Sequence, residues 1–447
     1  MSIKCPVITV CGVFFMALAS CSGPESFNAS GEYPPIFPDC IGVTIPEGIA
    51  PLTFDILDGR KFNLERKREG NVEWVTVRAW KKGDRTGIEY RPFPIYYSED
   101  PIDPYLVYRL IEPGYESWHD LSIVQRELSS YREDVIVDNR ANNQGCINCH
   151  SFPAGDPDRM LFHARGAGGG TVFADGDDVT LVNIAAAGPG RQGTYPAWHP
   201  DGRYVAFSSN TTQQCFTISD LQPIEVYDTA SDIILMDLGT GEVIMPQALS
   251  GEERLETFPA WSEDGHTLYY CSADNPGDIV RNRSEVHYRL MSIGFEDGAF
   301  VGEPQLVWAD DSASVSFPRV KDGRILFTRS SFGTFPIWHR EADLWMLDPG
   351  TGEASSLDEL NSDSTESYHS WSSNGRWIVF SSRRLDDRYT RLFIAHYEGD
   401  GRFAKPFLLP QEDPSHNHLR LKSYNIPEFV LGRVPDRQKQ VSKLFAE

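Results

Sequence analysis

Positive charge and long apolar runs are both scarce in this chain of 447 residues. Its 41 Lys and Arg stand against 64 Asp and Glu, which gives a formal net charge of −23. This charge argues against nucleic acid as a partner, because phosphate binding needs clustered basic side chains. Helical periodicity is also scarce, while 37 Gly and 30 Pro interrupt the chain, so a helical bundle is not expected. The 40% hydrophobic content excludes global disorder.

The apolar run from Val7 to Ala19 follows Lys4 and has only 13 residues. It is shorter than the roughly 20 residues that span a bilayer, and it predicts a signal peptide over residues 1–20. The quartet Leu18-Ala19-Ser20-Cys21 resembles the lipobox of bacterial lipoproteins. That resemblance implies export, acylation of Cys21 and a membrane partner reached through the lipid anchor, with 21–36 as a tether. An ordinary signal peptide cleaved nearby is the alternative.

Ser22 follows the cysteine of the lipobox-like quartet. In the lipoproteins that the quartet resembles, this residue favours the outer membrane over the inner one. The resemblance therefore implies an outer-membrane lipoprotein that faces the periplasm.

Eight cysteines are present, of which Cys5 and Cys11 would leave with the signal peptide. With Cys21 assigned to the lipid, five cysteines remain in the folded part, and this odd number does not indicate a disulfide framework. Cys146-Ile147-Asn148-Cys149-His150 matches the Cys-x-x-Cys-His motif of c-type haem attachment. Two thiols at this spacing can add to the haem vinyl groups while the next imidazole binds the iron. The sequence therefore predicts covalent c-type haem on Cys146 and Cys149, with His150 as the proximal iron ligand.

Two other interpretations of this motif stay open. The cysteine pair can form a structural or redox disulfide, or half of a zinc site, although no second Cys-x-x-Cys pair completes a tetrahedral zinc site. For the sixth iron position, His163 is the first candidate and Met160 the second. Both also suit strand packing, and Cys215 and Cys271 suit either a disulfide or free thiols.

A repeated segment recurs along the second half of the chain. Its clearest copy is Tyr195-Pro196-Ala197-Trp198-His199-Pro200-Asp201-Gly202-Arg203-Tyr204-Val205-Ala206-Phe207-Ser208-Ser209, and others begin at Phe258, Phe317 and Tyr368. The Asp-Gly and Asn-Gly pairs in these copies suit tight hairpin turns. A second repeated segment follows each of these four copies and forms the other half of the unit. Four strands per unit are typical of a β-propeller blade. A fifth copy begins at Phe152, two residues after His150.

These copies resemble the WD-type repeats of the TolB family over about residues 150–430. The resemblance implies an all-β fold, a six-bladed propeller, whose sixth blade would combine Tyr424-Asn425-Ile426-Pro427 with N-terminal strands. TolB itself lacks the lipid anchor and the haem motif, so only its fold is carried over. We expect the propeller over 141–430, a β-rich extension over 37–140 with an amphipathic helix at 117–136, and a tail over 431–447.

Propeller geometry gives the motif a predicted location. The blade-to-blade connectors and the loops between second and third strands share one face, here called the connector face, and the Asp-Gly turns lie on the opposite turn face. Because Cys-x-x-Cys-His precedes a first strand, we expect haem on the connector face beside the long loops at 210–232, 274–288 and 330–343. An envelope protein would dock there.

Two functions follow from these features. The first is electron transfer or redox sensing by a haem-bearing envelope lipoprotein, an electron carrier rather than an enzyme, although an open sixth iron position beside a proton donor would suit a haem enzyme. The alternative is a non-enzymatic protein-binding adaptor in which Cys-x-x-Cys-His is structural. No Gly-x-Ser-x-Gly motif of the peptidases that share such propellers is present.

Overall fold

The computed structural model describes residues 23–112, 120–166, 168–188, 190–216 and 224–446. The signal peptide predicted over 1–20 and the predicted lipid site Cys21 lie outside these residues. The described chain forms an N-terminal sheet of six strands and six blades of four or five strands arranged as a propeller. Within the described ranges, no helix is long and apolar enough to cross a membrane.

The N-terminal sheet has the strand order β1-β7-β6-β8-β3, with β5 paired to β6, and a separate β2–β4 pair lies beside it. The predicted tether over 21–36 is wrong from Ser26 onward, because β1 pairs in parallel with β7. These strands are β1 (Ser26–Ala29), β2 (Ile36–Phe37), β3 (Thr44–Pro46), β4 (Asp55–Ile56), β5 (Lys61–Glu69), β6 (Val72–Trp80), β7 (Thr86–Glu89) and β8 (Phe93–Ser98).

Three strands then lead into the first complete blades: β9 (Tyr105–Ile111), β10 (Ser122–Glu127) and β11 (Glu133–Asp138). Blade 1 comprises β12 (Ile147–Ser151), β13 (Arg159–Ala164), β14 (Gly170–Asp175) and β15 (Asp178–Val182). Blade 2 comprises β16 (Gly193–Trp198), β17 (Tyr204–Phe216), β18 (Ile224–Asp237) and β19 (Glu242–Ile244). Blade 3 comprises β20 (Arg254–Trp261), β21 (Thr267–Asp274), β22 (Arg289–Glu296) and β23 (Ala299–Trp308).

Blade 4 comprises β24 (Ser314–Lys321), β25 (Arg324–Ser330), β26 (Asp343–Asp348) and β27 (Glu353–Ser356). Blade 5 comprises β28 (Glu366–Trp371), β29 (Trp377–Ser382), β30 (Arg391–Gly399), β31 (Arg402–Phe403) and β32 (Phe407–Leu408). The last strand is β33 (Ser423–Val430). The short helices are α1 (Ile184–Ala187), α2 (Ile279–Asn282), α3 (His416–Leu419) and α4 (Gln438–Leu444), with 3-10 turns at Asn139–Asn142, Pro153–Gly155, Gln247–Leu249, Arg283–Glu285 and Pro336–Trp338.

Blade 6 joins the two ends of the chain, in the order β33-β9-β10-β11. Its innermost strand comes from the C-terminal region, and Tyr424 pairs with Leu110 of β9. The prediction of a six-bladed all-β propeller closed by residues 424–427 is confirmed. Such closure covers the edges that the first and last strands would otherwise expose.

The amphipathic helix predicted at 117–136 is wrong, because residues 120–138 contain β10 and β11; residues 113–119 are not described. Every residue from Ser122 to Arg126 is buried, since a blade is covered on both faces by its neighbours. A strand that is buried on both faces does not alternate between apolar and polar residues. The spacing of Leu121, Val124 and Leu128 therefore fitted a helix as well as a strand. The boundary at 140 is therefore also wrong, since β9–β11 belong to the propeller.

The terminal segments are parts of the packed structure. The predicted tail over 431–447 contains α4, whose Val441 is fully buried. At the other end, the N-terminal sheet shares a core with blades 5 and 6, where Val77 and Phe93 lie in one cluster with Val379 and Tyr424. The extension and the propeller thus form one folded unit around a common apolar core.

Candidate functional site

One strand from each blade lines the central channel, and all six carry the same irregularity. Pairing to the next strand is interrupted by two residues, and the first of these has a positive φ between 46° and 52°. The interrupted pairs are Cys149-His150, Tyr195-Pro196, Phe258-Pro259, Phe317-Pro318, Tyr368-His369 and Ile426-Pro427. We call these the ring positions. Each interruption is a β-bulge that turns a side chain toward the channel axis.

The Cys-x-x-Cys-His motif therefore forms part of the inner strand of blade 1. Cys149 and His150 occupy the ring positions of blade 1, and Ser151 pairs with Leu161 of β13. The repeat copy begins at Cys149, so the register that began it at Phe152 is wrong by three residues. The error arose because Phe152-Pro153 matches the aromatic-proline pair found at the ring positions of other blades.

The predicted location of the motif is also wrong for Cys149 and His150, which lie inside the channel. Only Cys146 lies at the connector end, where its carbonyl accepts a hydrogen bond from the amide of Arg165 at 2.8 Å.

Aromatic rings from the ring positions close the channel. The ring centroid of Phe258 lies 4.0 Å from that of Phe317 and 4.5 Å from that of Tyr195, while Tyr368 lies 4.8 Å from Phe317. The space left beside Cys149 is a cavity of about 20 Å³. A cavity of this size holds one or two water molecules.

Cys149 and His150 are both buried, and burial controls their chemistry. Burial raises the pKa of the Cys149 thiol, which disfavours the reactive thiolate. Burial, with a smaller contribution from Arg109, lowers the pKa of His150 to about 3, so the imidazole is neutral. Within the described ranges, neither ring nitrogen of His150 has a hydrogen-bond partner of normal geometry, although the backbone of Val107 and Ile426 lies close enough to interact.

Two oppositely charged side chains that the sequence did not predict line the same cavity and interact electrostatically. Arg319 and Glu428 both line it, and Ser151 donates a hydrogen bond to Oε1 of Glu428 at 3.3 Å. Burial raises the pKa of Glu428 to about 7, although Arg319 opposes the shift. The repeat contained a signal for both residues, since each directly follows a ring pair where other copies have Ala197 and Ala260.

The described geometry does not accommodate a porphyrin at the motif. The Cys149 thiol lies in a space for water molecules, whereas small-ligand sites usually measure about 300 Å³ or more. Cys146 packs instead between blades 6 and 1, in a cluster with Ile147 and Phe152. Haem attachment at these residues stays a prediction, and it would require the inner strand of blade 1 to move.

The two candidates for the sixth iron position lie away from His150. His163 pairs across from Asn148 and lines a different cavity, on the connector face. Met160 is fully buried in the apolar cluster between blades 6 and 1. Cys215 and Cys271 are free thiols in the structure, as are the cysteines of the motif. The structure thus brings Cys149 and His150 together but separates them from His163 and Met160.

The connector face is covered by an arm from blade 2. Strands β17 and β18 continue beyond the blade as a hairpin that includes Glu225 and Tyr227, and its tip at 217–223 is not described. Tyr227 is buried against Ile279 and Ile337 from the loops of blades 3 and 4. The long loops therefore pack into one surface rather than standing apart.

Comparisons with known proteins add similarity at the level of structure only. No family model and no curated protein matches the sequence. TolB from Acinetobacter baumannii is similar, with 13% identity over 82% of this chain and 81% of that chain and a TM-score of 0.47. An oligogalacturonate lyase from Vibrio parahaemolyticus has 10% identity over 79% of this chain and 86% of that chain, with a TM-score of 0.38.

The β-propeller domain of the Trilobed protease from Pyrococcus furiosus is also similar, with 12% identity over 79% of this chain and 99% of that domain, and a TM-score of 0.34. Such low identities carry no argument about activity. The propeller assignment itself depends on the six sheets and the six ring pairs described above.

Proposed function

We propose that this chain is an exported, lipid-anchored propeller that binds a partner protein of the envelope on its connector face and catalyses no reaction itself. In this proposal Cys149 and His150 are structural members of the channel lining. The observation that carries it is the equivalence of Cys149-His150 to the five other ring pairs, which fills the channel where a haem would need space.

The connector face has the features of a docking surface. Its arm and loops are held in place by buried contacts, and apolar side chains remain exposed on it. Phe216 on the arm is 52% exposed, Val280 in the loop of blade 3 is 46% exposed, and Leu421 before β33 is 64% exposed. Exposed apolar side chains on a fixed, loop-built surface are typical of protein-binding faces.

The rival function, electron transfer or redox sensing through a c-type haem, has one specific observation in its favour. Among the described residues, the neutral imidazole of His150 has no hydrogen bond of normal geometry, only weaker interactions with the backbone of Val107 and Ile426, and such a ring nitrogen can bind a metal. Export, where it occurs, would also suit haem attachment.

A spectroscopic experiment separates the two functions. The full chain is produced in a host competent in covalent haem attachment, purified, denatured and examined by visible spectroscopy. We expect no covalent haem band, and we expect Cys146 and Cys149 to titrate as thiols after unfolding together with Cys40, Cys215 and Cys271. A haem band that survives denaturation and disappears in Cys149→Ala would instead establish the haem carrier.

A second experiment tests the docking surface. A photo-crosslinking residue is placed at Phe216 on the connector face or, as a matched control, at Leu57 in the N-terminal region, which is 69% exposed. We expect one discrete crosslinked envelope protein from position 216 and none from position 57. Equal crosslinking from both positions contradicts the proposed face.

A further inference from the structure

A larger cavity opens on the connector face between blades 1 and 2, with a volume of about 360 Å³. That volume lies within the range of small-molecule sites. We call it the connector cleft. Its polar lining comes from the end of β13, the start of β16 and the base of the arm. These side chains include His163, Arg165, Arg191, Gln192, Thr194 and Asn210.

The charge of the connector cleft is opposite to that of the chain. Two guanidinium groups line it, and no Asp or Glu is among its described lining residues. The chain as a whole has 64 acidic and 41 basic residues. A local positive field in an acidic protein attracts anions to that one place.

Arg165 forms no direct contact with an acidic side chain among the described residues, although it interacts electrostatically with the buried Asp228. Arg165 is half-buried, and its guanidinium makes no hydrogen bond or ion pair within the described part of the chain. Arg191 is exposed, and its Nη1 forms an ion pair with Oδ2 of Asp232 at 3.6 Å, so one acidic side chain already faces this guanidinium. Arginine is suited to carboxylate and phosphate because its planar fork donates two parallel hydrogen bonds.

Neutral polar atoms beside the two arginines also lack partners. His163 is 5% exposed, and no described residue forms a hydrogen bond with its Nδ1. Burial and the neighbouring Arg165 lower the pKa of His163 to about 4, so its ring adds no charge. Oε1 of Gln192 is likewise buried without a partner, while its Nε2 donates to Asn183 at 2.6 Å. Buried unpaired acceptors cost free energy unless a ligand or water satisfies them.

The opposite wall of the connector cleft is fixed in position. Thr194 donates to the carbonyl of Ser208 at 3.1 Å, and Asn210 donates to Asp228 at 2.8 Å. Because these side chains are held by strand residues, the cleft does not have to be ordered when a ligand enters.

We propose that the connector cleft binds a small hydroxylated organic anion, whose carboxylate or phosphate group is held by Arg165 and Arg191 and whose hydroxyl donates to Gln192. The proposal is independent of the partner-binding function, because it concerns a small molecule and needs no second protein.

Calorimetry on the full chain tests the proposal, with glucuronate and glucose 6-phosphate as charged probes and glucose as the uncharged probe. We expect at least one charged probe to bind with a Kd of about 1 mM or tighter and glucose not to bind. Arg165→Gln should weaken that binding about 10- to 100-fold, as the loss of a charge-assisted hydrogen bond predicts. Arg281→Gln is the matched control, since Arg281 is 85% exposed on α2.

Two further variants keep the test decisive. Arg191→Gln changes an exposed side chain, so it reports on binding even if Arg165→Gln fails to fold. Gln192→Leu should weaken the binding of glucose 6-phosphate but leave the binding of inorganic phosphate unchanged, because only the first ligand has sugar hydroxyls that can donate to Gln192 while the arginines hold its phosphate group. The proposal is overturned if neither charged probe binds, if glucose binds equally, or if folded Arg165→Gln and Arg191→Gln both bind as the unchanged chain does.

Discussion

Nε2 of His339 lies 3.1 Å from Oε2 of Glu225, which joins the arm of blade 2 to the loop of blade 4. His339 is fully buried, and its Nδ1 lies 3.2 Å from Glu341. Burial opposes the charged form of His339, but the two carboxylates outweigh it and raise the pKa to about 9. The arm is therefore held over the connector face by a protonated histidine at neutral pH.

This arrangement predicts a stability that falls in alkali. A histidine whose pKa is raised by folding stabilises the fold fully below its unfolded pKa of 6.5, and the contribution disappears as pH rises through about 9. We expect His339→Gln to lower the free energy of unfolding by about 2 kcal/mol more at pH 6.5 than at pH values above 9. Urea unfolding across this range measures the difference. His266→Gln, at an exposed position, is the control, and a pH-independent loss in His339→Gln would contradict the prediction.

In contrast to the charge on His339, the charge on Glu428 in the channel should destabilise the fold. Its pKa is raised from 4.5 to about 7 by burial, so ionisation of Glu428 destabilises the fold increasingly as pH rises through that interval. Glu428→Gln removes the ionisation and should stabilise the protein by about 1 kcal/mol above pH 7 and not at all below pH 4.5. The expected gain is modest because Glu428 keeps some contact with solvent. Thermal unfolding at both pH values measures it, with exposed Glu359→Gln as control.

The aromatic rings that close the channel should contribute strongly to the free energy of unfolding. Phe258 is 1% exposed, and its ring contacts those of Phe317 and Tyr195. Phe258→Ala should lower the free energy of unfolding by about 3 to 5 kcal/mol, because it leaves a cavity that β20 cannot close. Leu57→Ala, at a 69% exposed position, should change it by less than about 0.5 kcal/mol. Similar denaturation midpoints for the two variants would show that the ring cluster does not hold the blades together.

The closure of the propeller was predictable from the sequence, and the register of blade 1 was not. Tyr424-Asn425-Ile426-Pro427 keeps the apolar-proline pattern of the other inner strands, so it could be matched to them. Cys149-His150 has neither a Phe or Tyr nor a proline. Phe152-Pro153, three residues later, matches the aromatic-proline pairs of the other blades more closely, so the sequence comparison aligned the wrong residues. The backbone bulge, not the side chain, defines a ring position, and a bulge is not visible in a single sequence.

The connector cleft is also not predictable from the sequence, although the sequence marks His163 as a candidate iron ligand. His163, Arg191 and Asn210 come from three different strands in two blades, and only the packing of those blades brings them together. By contrast, Arg319 and Glu428 break a run of small residues after the ring pairs, so comparison of the repeats could have marked them.

The C-terminal helix makes the last prediction, because one buried side chain joins it to blade 1. Arg437 is 1% exposed, and its guanidinium donates to the carbonyls of Gly176 at 2.6 Å and Asp158 at 3.2 Å. Arg437→Met keeps the apolar stem but removes these donors, so we expect a loss of about 2 to 3 kcal/mol in the free energy of unfolding. Exposed Lys439→Met on the same helix is the control and should change it little. Hydrogen exchange provides a second measurement. Because the Arg437 amide donates to the carbonyl of Ile136 at 2.8 Å, exchange in β11 should accelerate in Arg437→Met, and unchanged protection there would contradict a role for this helix in closing the propeller.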